Sequence, residues 1–337
     1  MSSVQFASQN GLAVLNPGGR DLDLSYGSGV DSVDAPVHPP VNYHAYAACT
    51  GGGFYRTTSL AARHRSVLLL LRGSLRGAER AFLALKARGC FVAIALKETG
   101  VQQLAEQLQR PGWLRKFQQL ASAADLCLAS TPDAVPLYQA WSRKVVYLPT
   151  PYPVDLPNWR SLRAGLPREG IFIGTREISV LARNHVLALA ALRTSSQPIT
   201  VLSDGTKAER RILDDLRFPP DQLKTFPQVP YPDYLAILRR HRLVFQLDSS
   251  RVPGQVAGDA VLTGTPVVGG EGAIEREIFP DLTSFGRSFP EVLAIAIRLL
   301  RDPVFYGEQV DKLNERAQSR ISFSAIRREL LSWFPGA

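Results

Sequence analysis

Two short runs, SVLLLL (66–71) and CFVAIAL (90–96), are apolar at nearly every position, and a stretch with helical spacing, RGAERAFLALKARG, lies between them. A strand with one face in water alternates apolar and polar residues. A strand without that alternation is covered on both faces, as in a parallel sheet flanked by helices. The same rhythm extends in both directions. VNYHAYAA (41–48) reads as a first strand followed by the turn TGGG, and LCLAS (126–130) and KVVYL (144–148) read as later strands. Residues 101–124 read as a helix broken at Pro111–Gly112. PTPYPVDLPNW (149–159) then brings four prolines into eleven residues, poor material for a helix or a central strand. Beyond it the alternation restarts, with GIFIGT, PITVLS, LKTFPQV, RLVFQLDSS and TPVVGG as strands and NHVLALAALR, KAERRILDDL and YPDYLAILRRH as helices.

The expected fold is therefore α/β, with two doubly wound, Rossmann-like parallel-sheet domains at 41–148 and 169–320, joined by a linker at 149–168. Residues 1–40, rich in Gly, Ser, Asp and Pro, are expected to be an irregular extension. The final helix, in 321–337, is expected to pack back toward the first domain. Two such halves set a cleft between the carboxyl ends of their sheets, where open α/β folds bind ligands.

The chain carries a net charge of +9 and arginine greatly outnumbers lysine. That balance favours an anionic partner, and the planar guanidinium fork suits phosphate oxygens. Nucleic acid is not expected, because there is no long basic tract, no aromatic RNA-binding motif and no zinc-finger spacing. Cys49, Cys90 and Cys127 are scattered and form no CxxC pair, and the five histidines form no HExxH array, so neither disulfides nor a structural zinc site is expected. Mean hydropathy is near zero, no apolar run is long enough to cross a bilayer, and the first residues lack the pattern of a secretory signal. A cytoplasmic protein is expected. Gln109–Phe117 (QRPGWLRKF) mixes aromatic and basic residues in a way that suits either a helix packed on its own domain, the reading favoured, or peripheral contact with an anionic membrane surface.

Three glycine clusters stand out. Gly51-Gly52-Gly53 is either a plain tight turn or a loop whose backbone N–H groups reach a phosphate. Gly270–Glu275 (GEGAIE) imitates a dinucleotide fingerprint but ends in Glu and follows a last strand rather than a first. RVPGQVAGDAVLTGTPVVGGEG (251–272) enters a helix through Pro253 and Gly254, followed by Gln255, and places Asp259 inside it, where aspartate has poor helix propensity.

This last stretch resembles the motif E-x-F-G-x-x-x-x-E-A-x-x-x-G-x-P-V of the retaining, family-four glycosyltransferases, which have the GT-B fold. Aligned on Gly264-Thr265-Pro266-Val267, the second glutamate falls on Asp259, the internal glycine on Gly254, and the first glutamate on Arg251. The resemblance implies a donor domain at 169–320, in which Asp259 accepts hydrogen bonds from the ribose hydroxyls of a UDP- or GDP-type sugar. It implies an acceptor domain at 41–148. The family's G-R-x-x-x-x-K-G is matched loosely by GTREISVLARNH, where Arg176 and Arg183 would hold the diphosphate and neutralise it as it leaves. Gly52, Gly53, Arg251, Gly254, Gln255, Gly270 and Gly272 complete the expected donor set. On the acceptor side His44 and Lys97 are candidates, with Glu98 as a catalytic carboxylate. Retention follows from the family alone, and inversion would need a base such as Glu98 or His44. The D-x-D at Asp21-Leu22-Asp23 lies in the extension, so metal-independent transfer without a cofactor is expected. The acceptor would be a glycan, a lipid-linked sugar or a protein, in polysaccharide or glycolipid synthesis. A GT-B sugar-nucleotide epimerase, or a non-catalytic nucleotide-sugar or polyanion-binding protein, would use the same donor site.

Overall fold

The structure is a computed structural model that describes residues 9–27, 30, 32–34, 38–163, 167–174 and 178–337. The chain divides into two compact units, residues 1–153 together with 321–337, and residues 154–320.

In the first unit the chain runs β1 (Ala13–Leu15), β2 (Leu24–Ser25), α1 (Tyr43–Cys49), β3 (Gly53–Tyr55), α2 (Thr58–Ala61), β4 (Ser66–Leu71), α3 (Arg76–Ala87) and β5 (Phe91–Leu96). It continues through α4 (Val101–Leu108), α5 (Trp113–Ala123), β6 (Leu126–Ala129), α6 (Val135–Gln139) and β7 (Val145–Tyr147). These strands form one sheet in the order β2-β3-β1-β4-β5-β6-β7, parallel except for the β2–β3 pair. The run SVLLLL pairs with FVAIAL along its full length, and almost every residue of both is buried.

Two expectations fail here. The first 40 residues are not wholly irregular: β1 lies inside the sheet between β3 and β4, and its three residues are fully buried. Three apolar residues between Leu12 and Asn16 are too short a run to register as a strand in sequence. VNYHAYAA is not a strand either. Its centre forms α1, buried on every side against β1, β3 and a later helix, and a short apolar run carries no periodicity that separates a buried helix from a buried strand.

The second unit runs α7 (Pro157–Arg160), β8 (Ile171–Ile173), α8 (His185–Leu192), β9 (Ile199–Leu202), α9 (Lys207–Leu216), β10 (Leu223–Phe226), α10 (Tyr231–Leu238) and β11 (Leu243–Gln246). α11 (Gln255–Thr263), β12 (Val267–Gly269), α12 (Ala273–Ile278), α13 (Phe289–Arg301) and α14 (Pro303–Arg320) follow. Its five strands form an all-parallel sheet in the order β10-β9-β8-β11-β12. The chain then returns to the first unit as α15 (Phe323–Trp333). There Tyr152 N–H donates to Ile321 O at 2.7 Å, Phe334 meets Phe91 edge to face, and Ser66 donates to Pro335 O at 2.8 Å.

No helix among the described residues is long and apolar enough to cross a membrane. In α5, Trp113 and Phe117 stack on each other in the core, with Trp113 Nε1 donating to Gly73 O at 3.0 Å. Their rings are therefore not part of a surface that could meet lipid.

Candidate functional site

In a doubly wound sheet the loops leaving two neighbouring strands part where the chain reverses its direction of winding, and a crevice opens at the strands' carboxyl ends. In the second unit that point lies between β8 and β11, since β9 and β10 lie to one side and β12 to the other. The two loops are tied together there. Ser249 N–H donates to Ala182 O at 2.9 Å, and the Asn184 amide donates to Leu247 O at 3.0 Å. Arg183 lies in this tie, half-buried, between Ala182 and the left-handed Asn184. Arg176 lies outside the described residues.

The loop after β11 ends at Gly254, the N-cap of α11, with φ 90°. Arg251 takes the left-handed conformation, φ 54°, which turns the chain toward the helix start. Its Nε donates to Glu271 at 3.0 Å, and its guanidinium lies 5.2 Å from the centre of the Phe285 ring. The cation that stands in place of the motif's first glutamate is thus matched by a carboxylate from the loop after β12. Loop carbonyls also meet the first N–H groups of α12, from Val252 O to Ala273 and from Pro253 O to Ile274.

Glu275, at the end of GEGAIE, explains the three glycines around it. A Cβ at Gly254, Gly272 or Gly270 would lie 2.2, 2.4 or 3.0 Å from its carboxylate. The side chain is buried, Oε1 accepts from Gln246 at 2.5 Å, and Oε2 has no hydrogen-bond partner among the described residues. Burial, with Asp248 nearby adding to it, pushes its pKa up to about 8. The Gly-x-Gly-x-x-Glu spacing was the available signal, and it marks the glycines as making room for a carboxylate.

Asp259 does not face an open crevice. It is 1% exposed, and its Oδ1 accepts from Tyr231 at 2.6 Å, with Tyr234 and Gln255 as further donors. Burial holds its pKa at about 7 despite those donors. In this structure its carboxylate joins a bond network that anchors α11 to α10. Gln255, also expected at the donor, is one member of that network. Gly52 and Gly53 are displaced from the expected role. They lie at the amino end of β3, away from the carboxyl ends, and their N–H groups are taken by Ala47 O and Leu12 O. A Cβ at Gly52 would lie 2.1 Å from Leu12 O, so close strand packing demands this glycine.

In the first unit the reversal lies between β1 and β4. A cavity of about 580 Å³ opens there, lined by Pro17 and Gly18 after β1, Arg72 and Ser74 after β4, and Arg80 on α3. None of these was expected from sequence, because β1 was not recognised. NPGGR directly after AVL was the signal.

His44 sits on α1, buried, with its Nδ1 2.5 Å from the Tyr26 hydroxyl. Its ring stacks between His38 and Phe54. Burial first, then His38 and Lys97, pushes its pKa down to about 2, so it is neutral near pH 7 and a weak base. Lys97, itself lowered by burial, lies 5.5 Å from the centre of the Tyr43 ring, and Glu98 adds a negative charge beside it. Asp21 Oδ2 is 3.7 Å from His44 Nε2, and Asp21, His38 and His44 offer ligand atoms within 4.8 Å of one another, a set able to hold a metal ion. Asp23, the other acid of the D-x-D, is occupied by Arg56 N–H and Thr57.

No protein-family profile and no curated protein matches this chain. Solved structures do. Sucrose-phosphate synthase from Thermosynechococcus elongatus superposes with a TM-score of 0.65 at 15% identity, over 96% of this chain and 98% of that one. A glycosyltransferase from Rickettsia africae gives 0.62 at 10% identity, over 96% and 97%. Anabaena HepE, solved with UDP, gives 0.60 at 15% identity, over 82% and 79%. The chain has the GT-B fold that these proteins share.

Proposed function

We propose that this chain is a glycosyltransferase that moves a sugar from a nucleoside-diphosphate sugar, of UDP or GDP type, to an acceptor hydroxyl. The observation that carries this is the tied pair of loops at the β8–β11 reversal. One loop carries Arg183, and the other carries Arg251 and ends at Gly254, the N-cap of α11, where backbone N–H groups without helical acceptors attract an anion. The likeness to sugar-transferring enzymes of the same fold, one of them solved with UDP, supports it. Arg183, with Arg176, would neutralise the departing diphosphate. Arg251, with Glu271, would meet the transferred sugar or the diphosphate, beside the Glu275 carboxylate for which Gly254, Gly270 and Gly272 make room.

In the first unit the Arg72–Arg80 cavity, with Lys97 and Glu98, would take the acceptor: a glycan, a lipid-linked sugar or a protein, in polysaccharide or glycolipid synthesis. Transfer with retention and without a metal follows from the family-four resemblance. A panel of UDP-, GDP-, ADP- and dTDP-sugars tests the proposal. Free nucleotide released only when acceptor is present supports transfer. Epimerised or hydrolysed donor without acceptor would indicate an epimerase instead, and binding without turnover a carrier.

A further inference from the structure

The amino edge of the second unit's sheet holds an arginine cluster that the donor site does not use. Arg242 immediately precedes β11, Arg168 precedes β8, and Arg163 follows α7. With Tyr306 and Asn314 of α14 they line an open cavity of about 360 Å³. Each guanidinium is fixed by part of its donor set. Arg163 Nη1 donates to Asn314 at 2.8 Å, Arg168 Nη1 to Thr265 at 2.6 Å, and Arg242 Nε to Leu299 O at 2.9 Å, with the Arg242 guanidinium stacked 4.2 Å over Tyr306.

None of the three forms an ion pair among the described residues, and the cavity lining holds no carboxylate. The carbonyl ends of α11 and α13 offset part of the charge through Arg168 and Arg242. Arg163 has no such relief: its Nε and Nη2 are buried without an acceptor among the described residues. Burial and the nearby Arg160 push its pKa down to about 10. A shielded cation with unmet donors is unfavourable until an anion meets it.

We infer that this cavity is a second anion site, which takes a phosphate group presented free or as a small ester. Guanidinium forks held in place by the protein match phosphate oxygens, and the stacked Tyr306 offers a face to an organic part. At about 30 Å³ per water the cavity holds roughly a dozen waters, more room than a bare phosphate fills. Gly264, the C-cap of α11, lies at this cavity, and Gly254, the N-cap, at the donor site. Nine helical residues at about 1.5 Å each separate the two by about 14 Å, so one anion cannot occupy both.

Calorimetric titration of the full chain with inorganic phosphate and with glycerol 3-phosphate tests this, with and without saturating UDP. With UDP saturating the donor site, saturable phosphate binding is expected to persist, and to be weakened at least tenfold in Arg163→Gln and in Arg168→Gln. If Arg168→Gln does not fold, Arg163→Lys replaces it: the charge stays, the fork is lost, and an intermediate affinity is expected. Tighter binding of glycerol 3-phosphate identifies an ester as the ligand, and equal or weaker binding identifies free phosphate. No saturable binding, unchanged binding in Arg163→Gln, or displacement by UDP would overturn the site. None of these outcomes depends on whether the chain transfers sugar, which turnover tests separately.

Discussion

Arg251 is the residue where chemistry departs most from the motif it sits in. The motif there supplies a carboxylate, whereas this chain supplies a cation, pairs it with Glu271 and lays it on Phe285. Arg183, in the loop tied to its own, is the residue proposed to contact the diphosphate. Arg183→Ala is expected to weaken UDP or GDP binding by about 1.5–3 kcal/mol, the worth of a hydrogen bond to a charged group. Arg183→Lys should recover only part, since a point charge lacks the bidentate fork. Calorimetry on both variants checks it, and equal affinity in wild type and Arg183→Ala would remove Arg183 from the site.

Two buried acids give the same unit a pH signature. Asp259 and Glu275 have folded pKa values pushed up to about 7 and about 8, above their ordinary values of 3.8 and 4.5. Each binds its proton more tightly folded than unfolded. Their stabilisation is complete below about pH 4 and is lost as pH rises through 7 and 8. The melting temperature should therefore decline from pH 5 to 8.5, and the decline should flatten in the Asp259→Asn, Glu275→Gln double variant. An equally steep decline in that variant would show that other groups set it.

At the scale of elements, α11 shows how a helix start can be dictated by a distant side chain. Gly254 is required twice, by its φ of 90° and by Glu275, whose carboxylate fills the place of a Cβ. Gly254→Ala should cost about 1–3 kcal/mol or more in chemical denaturation. In a Glu275→Ala background the clash with the carboxylate is gone, and the left-handed strain, about 1–2 kcal/mol, and a 3.2 Å approach to Ile274 Cβ remain, so the two substitutions should be non-additive. Strict additivity would mean that the two residues do not touch.

The strands that form this frame were largely legible in sequence, because SVLLLL, CFVAIAL, GIFIGT and PITVLS are buried on both faces and show no alternation. α1 was not, since seven buried residues erase the helical period, and β1 was not, since three residues are too few to show one. The glycines of 251–272 were legible as special but not in purpose. Their partner Glu275 lies beyond the segment, and the closeness of its carboxylate is a tertiary fact. Asp259 was legible as out of place in a helix, yet whether a ligand or Tyr231 satisfies it depends on α10.

Across the whole molecule, two doubly wound sheets each reverse their strand order once, the place where open α/β folds bind ligands, and the net charge of +9 suits anionic ligands at both. The central claim is that the crevice of the second unit, formed by the loops after β8, β11 and β12, binds a nucleoside diphosphate. Hydrogen exchange read by mass spectrometry, with and without UDP or GDP, tests this most directly, because it reports where the ligand acts. The account predicts slowed exchange in residues 178–184, 247–256 and 270–276, and none at residues 167–170 or 240–243 on the opposite edge of the sheet. Unaltered exchange in the three loops at saturating nucleotide, or protection confined to that opposite edge, would contradict it.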